Sequence, residues 1–182
     1  MSAIALGGNL GHSRAIFEAA IDHLNHTRGV RVITHSRWYR TAPIGPPQPE
    51  YLNGCALLSV QISPTELLKV LLSIEKQFGR IRRELWGSRT LDLDLLLFDD
   101  LILDTPTLQI PHPRMGNRAF VLVPLAEIAP DWIEPVSGQT ISQLVKAVDC
   151  SGVRLSTEEY PEKYPEQEYL EQQYSEQSTV HS

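Results

Sequence analysis

With 182 residues, 42% of them hydrophobic and 21% charged, the chain is long enough for one compact domain with a real core. Its net charge of −6 is concentrated at the end: from Leu155 on there are seven glutamates and one lysine, and the residues before it balance 15 basic against 15 acidic side chains. That balance excludes the clear positive excess of a general nucleic-acid binder, and no apolar run approaches the roughly 18 residues of a transmembrane helix.

Met1 to Leu10 lacks the basic start and long apolar region of a signal peptide. Cys55 and Cys150 make neither a metal spacing nor a disulfide framework. A cytoplasmic location is expected. Ala3 to Leu6 reads as a short strand. Gly7-Gly8-Asn9-Leu10-Gly11 is a glycine-rich turn, and His12 to Leu24 carries apolar residues at helical spacing. The turn does not match the G-x-G-x-x-G register of dinucleotide-binding units, so a tight turn with its backbone close to a ligand is the better reading.

Val30 to Arg40 sets Val30, Val32, Thr34, Ser36 and Trp38 against Arg31, Ile33, His35, Arg37 and Tyr39, is rich in β-branched and aromatic residues, and predicts one long strand. Thr41 to Glu50 holds four prolines and reads as a loop or lid. A second strand is expected over Cys55 to Gln61. Ser63-Pro64-Thr65-Glu66 has the chemistry of a helix start, with Ser63 as N-cap, Pro64 at the first position and Glu66 closing a capping box. That helix runs to Phe78 and stops at Gly79. Gly79 to Ser88 is a polar loop with Arg80, Arg82, Arg83 and Trp86, and a strand follows to Phe98. Leu101 to Leu103 reads as a short strand, Pro111-His112-Pro113-Arg114 as a stiff kinked segment, Asn117 to Ile128 as a helix interrupted near Pro124, and Ile141 to Val148 as a closing helix. The order β-α-β-β-α-β predicts an α+β fold of the ferredoxin-like, split βαβ kind: an antiparallel sheet with helices on one face and the other face free for a ligand. Residues 1–154 are expected to form the folded domain. Residues 155–182, repeating Tyr-Pro-Glu among Gln and Glu, are expected to be an acidic, disordered tail.

Chemistry concentrates around Asp92 and Asp94. Residues i and i+2 of a strand share a face, about 7 Å apart, and Leu91, Leu93 and Leu95 point the other way. A polar strand edge in water would satisfy the same alternation. The nearby arginines favour function, because carboxylates suit Mg²⁺ and guanidinium groups suit phosphate oxygens. Arg89, and further on Arg114 and Arg118, add to that set. His112, between two prolines, is a turn residue or a donor to phosphate or ribose. Tyr51 and Trp86 lie in polar stretches, which favours stacking on a flat ligand over core packing, whereas Phe120 reads equally as core. Asn53 can both donate to and accept from a heterocycle edge. Glu75 sits in the last turn of its helix, where the macrodipole disfavours an acid, which suggests a specific partner such as an arginine.

Taken together, Gly7-Gly8-Asn9-Leu10-Gly11, Tyr39 to Gly45, Gln48 to Asn53, Ile74-Glu75, Gly79-Arg80, Trp86 to Asp94 and Pro111 through Phe120 resemble the 6-hydroxymethyl-7,8-dihydropterin pyrophosphokinase family in order and spacing, as far as about Ile128. The resemblance implies transfer of a pyrophosphoryl group from ATP to the pterin hydroxymethyl group, with release of AMP. It implies that Asp92 and Asp94 bind two Mg²⁺ ions, that Arg80 and Arg89 stabilise charge on the transferred group, and that Glu75, Arg82, His112 and Arg118 hold ATP. The pterin would stack between Tyr51 and Phe120 under Trp86, its edge read by Thr41, Asn53 and the backbone around Pro43 and Ile44. The 79–87 and 43–49 segments would act as lids. Leu85 stands where family members often carry arginine, and Gly8 where serine is common, a change expected to be neutral. A monomer acting on small molecules is expected, without nucleic-acid or membrane partners. The alternative is a ferredoxin-like RNA-binding module, which needs aromatic residues and positive charge on the sheet.

Overall fold

The computed structural model describes residues 1–43, 45–79 and 89–157. Ile44, Arg80, Arg82, Arg83, Leu85, Trp86 and the tail beyond Thr157 lie outside those residues, and so do the expectations that rest on them. Strand β1 (Ser2–Gly8) leads through the glycine turn into helix α1 (Ser13–His26). Next come β2 (Val30–His35), β3 (Tyr39–Thr41) and the long β4 (Tyr51–Val60). Helix α2 (Pro64–Gln77) starts on the expected capping box, with the Ser63 hydroxyl accepting from Glu66 N–H and the Glu66 carboxylate from Ser63 N–H. Strand β5 (Asp92–Phe98) is followed by a small hairpin of β6 (Leu103–Asp104) and β7 (Gln109–Ile110). A 3₁₀ turn leads into α3 (Ala119–Ile128), which keeps Pro124 within one helix. Helix α4 (Ile141–Lys146) and strand β8 (Val153–Leu155) follow.

The main sheet has the order β5-β1-β4-β3-β8, with β2 also on β4, and every pair is antiparallel. This is the split βαβ arrangement. The predicted strand over Val30 to Arg40 is two strands laid end to end along β4, which pairs with β3 through Tyr51–Asn53 and with β2 through Ala56–Val60. The break has a steric cause. Trp38 turns into the core over Gly54, where a Cβ would stand 2.4 Å from its ring. Ser36 closes the gap by exchanging bonds with the Cys55 backbone.

The expectation of helices on one face is corrected by the packing. Alternate residues of β1, Ile4 and Leu6, join Leu93 and Leu95 of β5 in a core under α1 and α2. The intervening residues Ala3 and Ala5, with Cys55, Leu96 and Leu97, form a second core under α3 and α4. The carboxy-terminal helices carry enough apolar surface (Val121, Leu122, Leu125, Ile141, Leu144) to cover part of the face left open in the sequence reading. Strand β8, which the sequence reading did not foresee, extends the sheet beyond β3 and straddles the 154/155 position.

Candidate active site

The second core covers only part of its face. Where it ends, near the start of α3, the sheet presents polar residues in register. Asp92 of β5 pairs with Gly7 of β1, Gly7 with Asn53 of β4, and Asn53 with Tyr39 of β3. Paired residues project to the same face. Asp92 and Asn53 therefore flank a strand position with no side chain, a trough about 10 Å across at the usual strand spacing. Asp94 stands one row inward, opposite Ala5, and Tyr51 stands one row outward, opposite Thr41. Asn53, buried, donates from Nδ2 to the Thr41 hydroxyl at 2.9 Å.

Two carboxylates about 7 Å apart repel by about 2 kcal/mol at an effective dielectric constant near 20. The structure offsets this with cations. Arg89 Nη1 lies 2.6 Å from Asp92 Oδ2. His112 Nε2 and Arg118 Nη1 each lie 3.8 Å from Asp94 Oδ2, near the limit of direct contact. The Pro111–Arg114 segment is pinned to the edge strand by His112 N–H donating to Leu96 C=O at 2.9 Å. His112 Nδ1 accepts from Arg114 N–H at 3.2 Å, which places the ring proton of the neutral form on Nε2, toward Asp94. Burial holds the His112 pKa below its ordinary value; Asp94 opposes the shift, and Arg118 and Arg114 add to it. Burial likewise lowers that of Arg118, against the pull of Asp94. The Arg118 guanidinium sits 5.6 Å from the centre of the Phe120 ring. Phe120, at the start of α3, is half-buried and packs against the second core.

Glu75 has a partner that its sequence position did not reveal. It is buried, and Oε1 accepts the Leu93 N–H at 2.7 Å, which ties α2 to edge strand β5. It also lines a groove of about 670 Å³ between α2 and the β6–β7 hairpin, with Leu72, Asp94, Leu108 and His112. Pro43 is in the loop after β3, partly exposed. Cys55, one row inward from Asn53, is buried in the second core with its Sγ toward the Val121 carbonyl, and burial pushes its thiol pKa far up. Among the described residues no group of three or more His, Cys, Asp and Glu could hold a metal ion. Two carboxylates nevertheless suit Mg²⁺, which binds through one or two carboxylates and completes its shell with phosphate oxygens and water.

A residue missed in the sequence is Asn9. Its buried carboxamide accepts the Arg89 N–H at 2.8 Å and donates to Gln48 Oε1 and Pro49 C=O, each at 3.0 Å. The local signal, an asparagine among glycines, reads as a turn former. Gly8 is likewise not freely exchangeable, because a Cβ there would stand 2.4 Å from the Thr90 carbonyl oxygen.

The family model for 7,8-dihydro-6-hydroxymethylpterin-pyrophosphokinase matches residues 3–130. The chain belongs to this family. It is 55% identical over 150 residues to a 2-amino-4-hydroxy-6-hydroxymethyldihydropteridine pyrophosphokinase of Synechocystis sp., covering 82% of this chain and 77% of that one. A protein of the same name from Pseudomonas aeruginosa is 42% identical over 151 residues, 82% of this chain and 93% of that one. Among solved structures, a Plasmodium falciparum HPPK-DHPS with pteroate superposes with a TM-score of 0.64 at 14% identity. It matches 80% of this chain, which spans 44% of that longer chain, and it speaks for the fold alone. The pyrophosphokinase transfers pyrophosphate from ATP to the hydroxymethyl group of 6-hydroxymethyl-7,8-dihydropterin and releases AMP, a step of folate synthesis.

Proposed function

We propose that the two substrates meet over the row Asp92–Gly7–Asn53, with phosphates on the Asp92 side and pterin on the Asn53 side. The observation that supports this reading is the register, which sets a pair of carboxylates and the Asn53 amide on one face across a glycine. Asp92 and Asp94 would hold two Mg²⁺ ions. Bound there, Mg²⁺ would neutralise the phosphates and lower the pKa of the acceptor hydroxyl. The residues around them have separable tasks. Arg89, now paired with Asp92, is placed to turn onto a phosphate as the carboxylate takes a metal. His112 Nε2–H and Arg118 are placed to donate to phosphate or ribose. The groove beside Glu75 would take the nucleoside, a reading supported by its volume of about 670 Å³ and the apolar walls of Leu72 and Leu108. Asn53 and Thr41 would read the pterin edge while Tyr51 and Phe120 flank its plane. Arg80 for the transferred group, Arg82 for ATP, and Trp86, Pro43 and Ile44 for the pterin complete the assignment.

No protein base is required: alignment of the hydroxyl with the β-phosphorus and charge stabilisation carry the step. We further read the protein as a cytoplasmic monomer whose residues 1–154 perform the chemistry and whose residues 155–182 take no part. The test is to incubate the protein with ATP, Mg²⁺ and 6-hydroxymethyl-7,8-dihydropterin and identify the nucleotide formed, for wild type and for Asp94→Ala. AMP from the wild type and none from the variant is expected. ADP, or undiminished AMP from the variant, would overturn the reading.

A further inference from the structure

An asparagine in a glycine-rich turn ordinarily bonds its own turn. None of the side-chain bonds found for Asn9 is local. Oδ1 accepts from Arg89, 80 residues on, and Nδ2 donates to Gln48 and Pro49, 39 and 40 residues on. The backbone reinforces one of these links, since Asn9 N–H and Leu10 N–H both donate to the Arg89 carbonyl, at 2.8 and 3.1 Å. The two segments so joined belong to opposite sides of the site. Arg89 Nη1 contacts Asp92 at 2.6 Å on the phosphate side. Gln48 Oε1, which takes the Asn9 bond, also lies 3.5 Å from the Tyr51 hydroxyl on the acceptor side. Beneath the node the packing is tight: Gly8 has no room for a Cβ under Thr90. A shift of residues 89–90 must therefore move the turn or break bonds to it.

We propose that Asn9 is a positioning residue that couples the nucleotide side of the site to the pterin side, its carboxamide holding Arg89 and the Gln48–Pro49 loop at once. The proposal rests on the substrate placement given above. Its consequence is reciprocal: whatever nucleotide binding does to pterin affinity through this node, pterin binding does to nucleotide affinity by the same factor.

Asn9→Asp separates the two arms. A carboxylate still accepts from Arg89 N–H, but it has no N–H for Gln48 Oε1 or Pro49 C=O and sets a negative charge against both oxygens. The experiment measures pterin affinity by calorimetry, with and without saturating Mg²⁺ and a non-transferable ATP analogue, for wild type, Asn9→Asp and Gln48→Ala. In the wild type, the nucleotide is expected to tighten pterin binding by about 5–150-fold, the usual range of such couplings. In Asn9→Asp the analogue should bind within about threefold of wild type, while the coupling factor falls toward about one. In turnover, KM for the pterin should rise about tenfold with KM for ATP nearly unchanged. Gln48→Ala, which leaves the turn itself intact, should lower the coupling factor by about threefold or more, and it decides the matter if Asn9→Asp does not fold. Unchanged coupling in the variants, equal loss of both affinities, or a wild type without coupling would overturn the proposal. A wild type that binds neither ligand would instead sink the substrate placement, and this proposal with it.

Discussion

The two faces of the sheet are made by alternate residues of the same strands, and they do different work. On the α1–α2 face, Ile4, Leu6, Leu93 and Leu95 are buried without interruption. On the α3–α4 face the apolar cover stops short, and Asp92, Asp94, Asn53 and Tyr51 occupy the remainder. In β5 the division falls between neighbours, as Leu93 and Leu95 point into a core while Asp92 and Asp94 point to the opposite face, into the proposed site. On the proposed reading one strand supplies stability and chemistry at once, because its pleat keeps the two apart. Substitutions one residue apart should therefore fail in different ways.

The largest separation is expected at the carboxylates. Asp92→Ala and Asp94→Ala should each lower turnover by at least ~10³-fold, about 4 kcal/mol of transition-state stabilisation. Their melting temperatures should shift by only a few degrees, because relief of the like-charge repulsion is set against loss of the Arg89 contact at Asp92 and of the His112 and Arg118 contacts at Asp94. A melting temperature that drops as for a core substitution would erase the distinction between faces. Leu95→Ala tests the other side. It should cost about 2–5 kcal/mol by denaturant titration and, because Leu95 also lines the groove beside Glu75, raise KM for ATP by about threefold at most, with kcat and the pterin KM of the folded fraction nearly unchanged. Phe120 stands at the border of core and site. Removing its ring should weaken the pterin by about tenfold, roughly 1–2 kcal/mol, in steady-state KM, with ATP little affected.

A subtler effect follows from His112, whose buried ring is held below its ordinary pKa of 6.5. The unfolded chain then binds more protons than the fold between 6.5 and the lowered value. Stability of the ligand-free protein should fall as pH drops through that window and be level above it. Chemical denaturation from pH 7.5 down to 5, compared with His112→Gln, would show this as a slope that the variant loses. The smallest effect is expected from a chain ending after Thr157, whose kcat and KM values should match those of the full chain. A clear change in either would assign the acidic tail a part in turnover.

Local pattern carried much of this into view. The Leu-Asp alternation at 91–95 placed both carboxylates on one face, because a strand's period is two whatever it pairs with. Ser63 and Glu66 announced the α2 start, since a capping box closes within four residues. Motifs in order and spacing led to the family. Three things were not legible. Two helices cover part of the second face, because apolar surface on α3 and α4 declares what it can bury but not where it docks. The strand predicted over Val30 to Arg40 is broken by Trp38, whose place is set by a glycine on another strand. Glu75 and Asn9 looked like a misplaced helix acid and a turn former, yet each bonds the backbone of a distant segment.

By itself, then, the sequence determined which residues carry charge, which lie back to back along β5, and what chemistry they suit. Tertiary structure alone decided that Asp92, Gly7 and Asn53 stand in one row, and that Asn9 ties Arg89 to Gln48. The physical reason is separation along the chain. Periodicity and capping are settled within a few residues, whereas register and long-range hydrogen bonds depend on segments 40 to 80 residues apart meeting only once the core has closed.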